Sequence, residues 1–140
     1  MRVLQGIVSS GFKLASPHLA PILPLVESRT GLVQPITGTL NVRISEDYIV
    51  TADAVIRPEE YPPNKLHGTK ETVKLQRCLI QGRKAIIVRP DTHETLGWGN
   101  GTKCLELMGA IRFRDVLNLQ DGSVVDVEVE GDDDWWVSGI

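Results

Sequence analysis

Apolar residues in this chain recur at every second position in short runs, and turn-forming residues stop each run after a few positions. Leu40, Val42 and Ile44 alternate with Thr39, Asn41 and Arg43, and Val125, Val127 and Val129 alternate with Asp126, Glu128 and Glu130. A period of two puts the apolar members on one strand face and the polar members on the other. Pro17, Pro21 and Pro24 interrupt any long helix between residues 12 and 32, and Pro58, Pro62 and Pro63 cannot donate to an interior ladder. Such a chain folds mainly as β-structure.

The segments follow in order. Residues 2–10 read as a first strand ending at Gly11, and residues 18–28 as a loop with one helical segment, with Leu19, Ile22, Leu23 and Val26 on one face. Strand 39–45 is followed by an extended segment at 47–56 and a long surface loop at 57–68. Two strand-like runs joined through Gln81, Gly82 and Arg83 predict a β-hairpin. A glycine-rich connection at 91–102 leads to a short strand beginning "KCLELM". A helix over about 111–118 should place Phe113, Val116 and Leu117 on one side, and Asp121-Gly122 turns the chain into the last strand. Six or more short strands with one or two short helices favour a barrel, because closure removes the edges that would template aggregation.

At 140 residues the chain is expected to form one domain, residues 1–140, burying roughly two-thirds of its unfolded surface. The formal net charge of -3 argues against a general nucleic-acid binder, and no apolar run reaches membrane-span length. Cys78 and Cys104 lack metal-type spacing and read as reduced, structural residues of a cytoplasmic protein. The tail carries Trp135 and Trp136, a pair expected to pack or to form a homodimer contact.

Three groups could carry chemistry. Thr39 and Asn41 place a hydroxyl and an amide oxygen on one strand face, hard donors of the type Mg²⁺ accepts; the competing reading is a turn-capping Thr and a solvent-facing Asn. Arg112 and Arg114, at the start of the late helix, either meet an anion or form its solvated face. His93 and Glu106 are acid–base types without a readable partner. The run "GWGNG" could bring backbone and Trp98 to a ligand or be a hairpin tip. No Walker-type phosphate loop, dinucleotide fingerprint or nucleophile elbow occurs.

Taken in order, "GIVSSG", "GTLNV", "IIVRPDTHE" and "CLELMGAIRFRDVLNLQDGSVVDVEV" resemble the archaeal CTP-dependent riboflavin kinases over most of the chain. The resemblance implies a six-stranded cradle-loop (RIFT-like) barrel that transfers the γ-phosphate of CTP to the riboflavin 5′-hydroxyl, giving FMN and CDP. It implies Mg²⁺ held by Thr39 and Asn41, flavin contacts from Thr92 and Glu106 with Glu106 as the base, and nucleotide contacts from Ile111, Arg112, Phe113 and Arg114. The family has a G-x-G-x-G stretch after the first strand; here Gly11, Phe12 and Lys13 stand there, with Lys13 expected to replace some backbone contacts to the nucleotide. That departure keeps open a second reading, a non-catalytic module binding a flavin or nucleotide on the same barrel. Under either reading the partners are small molecules, with no nucleic acid and no membrane.

Overall fold

A computed structural model of the chain describes residues 2–10, 19–60, 72–95 and 101–130. The alternating runs become seven strands: β1 (Arg2–Ser9), β2 (Thr39–Ile44), β3 (Ala54–Ile56), β4 (Val73–Ile80), β5 (Arg83–Pro90), β6 (Cys104–Met108) and β7 (Val124–Glu130). Six of them close into an antiparallel barrel in the order β4, β5, β6, β2, β1, β7 and back to β4. β4 closes the ring by dividing its pairing. Its start bonds to β3, with Ile56 opposite Val73, and its end bonds to β7, with Ile80 opposite Val127.

Among the described residues three α-helices accompany the barrel: α1 (Leu23–Thr30), α2 (Asp91–Thr95) and α3 (Phe113–Val116). A single 3-10 turn, Ala20–Ile22, leads into α1. Pro24 lies in the first turn of α1, where a missing N–H costs nothing, and Gly31 ends the helix at φ 83°, its N–H bonding to Glu27 O at 3.0 Å. The helical segment expected at 18–28 is therefore present, displaced slightly toward the C-terminus. Among the described residues, no helix is long and apolar enough to cross a membrane.

Two apolar clusters follow from the alternation. Leu4, Val8, Leu40, Val42, Leu105, Leu107, Val125 and Val127 fill the barrel. Residues of the opposite face, Ile56, Val73, Leu75, Ile86, Val88 and Met108, pack beneath Leu19, Ile22 and Val26. β5 faces apolar neighbours on both sides, so it reads as an almost continuous apolar run. Gly6 marks the closest approach of β1 and β2: a Cβ there would lie 2.5 Å from Val42 Cγ1 and 2.6 Å from Arg43 O. The hairpin turns on Gln81 and Gly82, both at positive φ (47° and 78°), the backbone of a two-residue type I′ connection.

Several expectations are corrected. Only residues 54–56 of the 47–56 segment form a strand, because Tyr48 and Val50 turn inward and their N–H groups bond to Thr102 O and to the Glu94 carboxylate. The 91–102 connection opens with helix α2. The late helix spans Phe113–Val116 rather than 111–118: Phe113 is buried, Leu117 packs against the core, and Val116 is exposed. Cys78 and Cys104 are free and buried, as expected. Gly11, Phe12, Lys13, Trp98, Trp135 and Trp136 lie outside the described residues.

Candidate functional site

The opening alternation places the site on the outside of the barrel wall. Leu40 and Val42 point into the core, so Thr39, Asn41 and Arg43 must face outward on β2. β1 and β6 flank β2, and their register aligns Ser9, Asn41 and Glu106 across three adjacent strands. A hydroxyl, an amide and a carboxylate therefore form one polar row. Thr39 lies one step away on the same face, and its Oγ1 donates to Glu106 Oε1 at 3.4 Å. Cys104 Sγ closes the other side, 3.9 Å from Asn41 Oδ1.

Burial tunes the carboxylate. Glu106 is half-buried beside apolar strand neighbours, and desolvation pushes its pKa up to about 7, against the opposing pulls of the Thr39 hydroxyl and the Arg89 charge. A carboxyl that changes charge near neutrality is suited to accept a proton. The Cys104 thiol is pushed up to about 11, first by desolvation and then by Glu106, so it is no nucleophile at neutral pH.

The raised Glu106 value carries a pH signature. Because the folded value exceeds the ordinary 4.5, the carboxyl's contribution to stability is fully present below about pH 4.5 and is lost as pH rises through about 7. Glu106→Gln stays neutral, so its melting temperature should lack this decline, and the gap between variant and parent should open between pH 4.5 and 7. Parallel melting curves across that range would reject the assignment.

Next to the row lies a cleft of about 420 Å³, lined by Ile36 to Leu40 on one side and by Arg112, Phe113 and Arg114 on the other. Its two walls are joined through Gly109, whose carbonyl accepts from Ile36 N at 2.9 Å and whose missing side chain admits the Phe113 ring. The arginines differ in commitment. Arg114 Nη2 bonds to Asp121 Oδ1 at 2.7 Å and to Ser9 O at 3.3 Å, tying α3 to the end of β1. Arg112 is exposed and, among the described residues, has a single loose pairing with Asp115 at 3.5 Å, worth little in water. Arg112 is thus the cation better placed for an incoming anion, and Ile111 packs against the barrel core.

The structure joins Thr39, Asn41 and Glu106 on one face and sets Arg112, Phe113 and Arg114 beside them. Thr92 lies on α2, which follows β5, the other neighbour of β6. Its hydroxyl is buried and has no hydrogen-bond partner among the described residues. No group of three or more His, Cys, Asp or Glu able to hold a metal occurs among the described residues, so any cation here would rely on the Thr39, Asn41 and Glu106 oxygens.

Sequence reasoning missed a buried polar network at the end of β5. Arg89 donates to Tyr48 O at 2.7 Å, Cys104 O at 3.0 Å and Glu94 Oε2 at 3.0 Å, while Glu94 also pairs with Lys74. Burial works to raise the Glu94 pKa, but its contacts with Lys74, Val50 and Arg89 overcome this and hold it below the ordinary carboxylate value. Tyr48 Oη donates to Gln76, which in turn donates to Val129 O. The available signal was a lone cation inside "AIIVRP" with a glutamate five residues later.

The fold is thus a closed six-stranded antiparallel barrel that sets oxygen donors on its outer wall beside an arginine-lined cleft. The family model CTP-dep_RFKase, described as domain of unknown function DUF120, matches residues 26–129. The chain is 34% identical over 130 residues to the riboflavin kinase of Thermococcus kodakarensis and 30% identical over 134 residues to that of Pyrobaculum arsenaticum. Both alignments take in 91% of this chain, and it spans 58% of the length of each of those relatives. The riboflavin kinase of Staphylothermus marinus is 23% identical over 132 residues, 94% of this chain and 95% of that protein. The chain belongs to the CTP-dependent riboflavin kinase family.

Proposed function

We propose that this chain transfers the γ-phosphoryl group of CTP to the 5′-hydroxyl of riboflavin, giving FMN and CDP. The observation that carries the reading is the convergence of Thr39, Asn41 and Glu106 on one strand face beside the cleft lined by Arg112 and Arg114. Phosphoryl transfer needs positioned substrates and stabilised charge more than covalent chemistry, and this arrangement offers both. Glu106, poised near neutrality, accepts the hydroxyl proton. Arg112 meets the phosphate oxygens, and Ile111, Phe113 and Arg114 fix the wall that presents it. The family resemblance assigns nucleotide contacts to Gly11, Phe12 and Lys13 as well. Thr92 meets the flavin or its new phosphate with its hydroxyl, which has no partner among the described residues.

The donor set fits a hard divalent cation. Mg²⁺ takes few protein ligands, and Thr39 and Asn41 would hold it while phosphate oxygens and waters complete its shell. When bound, it supplies charge neutralisation on the phosphates.

The test is incubation of the chain with riboflavin, Mg²⁺ and CTP, ATP, GTP or UTP separately, with riboflavin and FMN resolved by chromatography. FMN formation with CTP and not with the others is expected. No FMN from any donor would overturn the kinase reading, and stabilisation by riboflavin or CTP without turnover would then favour the binding module that the solitary Gly11 suggests.

A further inference from the structure

We propose that Glu94 is a positioning residue, whose carboxylate pins α2 to the end of the barrel and so presents the Thr92 hydroxyl to the flavin. The inference rests on the reading above that Thr92 meets the flavin.

Helix α2 has five residues, none of them apolar, so it cannot hold its place by propensity or by an apolar face. One backbone bond ties its start to the chain, from Asp91 N to Thr72 O at 2.9 Å, and the Thr95 hydroxyl bonds back within the helix. A further anchor is Glu94. Its carboxylate, only 5% exposed, accepts from Val50 N at 2.8 Å and from Arg89 Nη1 at 3.0 Å, and it pairs with Lys74 of β4. Arg89 carries the tie further, to Tyr48 O and to Cys104 O at the start of β6. One side chain on α2 thereby joins β4, β5, the inward-turned 48–50 segment and the strand that bears Glu106.

Two residues before this anchor stands the exception. The Thr92 hydroxyl is buried and has no partner among the described residues, although the Glu94 carboxylate nearby is bonded by Val50 N, Arg89 and Lys74. Buried hydroxyls are normally satisfied, so an unmade bond on a helix fixed by three charge-assisted contacts points to a ligand group that supplies the missing partner. Sequence reasoning could not assign Glu94 this role, because its partners lie at positions 50, 74 and 89.

The test compares Glu94→Gln, Lys74→Met and Thr92→Val with the parent, measuring riboflavin affinity by fluorescence quenching without nucleotide and, separately, KM for riboflavin and for CTP. Glu94→Gln keeps the shape and loses the charge. It is expected to weaken riboflavin binding about tenfold while leaving the CTP KM within about twofold, and Lys74→Met should do the same more mildly. Thr92→Val should match Glu94→Gln, and the double variant should be little worse than either, since both act through one hydroxyl. Unchanged riboflavin affinity in Glu94→Gln, whatever its melting temperature, would overturn the proposal, as would effects that simply multiply. A parent that binds no riboflavin overturns it too. A parent that binds riboflavin but makes no FMN defeats the kinase reading alone and leaves the Glu94 result standing.

Discussion

Arg89→Met is expected to lower the melting temperature by on the order of 10 °C. The Arg89 side chain is 1% exposed, and its guanidinium is kept in the interior by two backbone carbonyls and one carboxylate. Desolvation alone pulls its pKa down, and Glu94 provides the main opposing attraction. Methionine fills similar space but donates nothing. Tyr48 O and Cys104 O are left without this donor, and the Glu94 carboxylate keeps only Lys74 and Val50. Removing one partner of a buried pair costs about 3–5 kcal/mol, and a domain of this size loses roughly 3 °C per kcal/mol. Replacing both partners, Arg89→Met with Glu94→Leu, should recover part of the loss, because no unpaired charge then remains. Thermal melts followed by circular dichroism decide the matter, and a fall under about 3 °C for the single variant would show that the network is not a structural keystone.

Asn41→Ala should cut FMN formation by on the order of 100-fold or more while moving the melting temperature by only a degree or two. Asn41 is half-buried and faces outward, opposite Glu106 and away from the barrel core, so truncating it leaves no internal cavity. What it removes, on the proposed reading, is an oxygen donor to the cation bound with the nucleotide. Asn41→Asp, which keeps an oxygen at that place, should retain more activity than Asn41→Ala, and chelation of divalent ions should abolish turnover in the parent. Equal activity in parent and Asn41→Ala would detach the polar row from the chemistry.

The two predictions differ in how visible their residues were beforehand. The outward face of Asn41 was legible from the period of two, while the role proposed for it came only from the resemblance. Glu106 was legible through the resemblance, but its partner was not: Thr39 is 67 positions away, and only the β2–β6 register brings the two oxygens to 3.4 Å. Arg89 and Glu94 left only a faint signal as a pair, since their worth depends on Lys74, Val50, Tyr48 and Cys104, which the chain gathers from three separate segments. Helix α2 was hidden for a related reason. A five-residue helix has no periodicity to read and exists by virtue of its tertiary anchor.

Local patterning thus settled the strands other than β3, the Gln81-Gly82 and Asp121-Gly122 turns and the proline-limited helix α1, because alternation, positive-φ positions and missing donors act within a few residues of themselves. The tertiary structure alone decided which strands neighbour one another, how β4 shares itself between β3 and β7, and which polar groups meet across the wall. Those outcomes depend on closure of the whole ring, and closure is set by the summed packing of two apolar clusters rather than by any single segment.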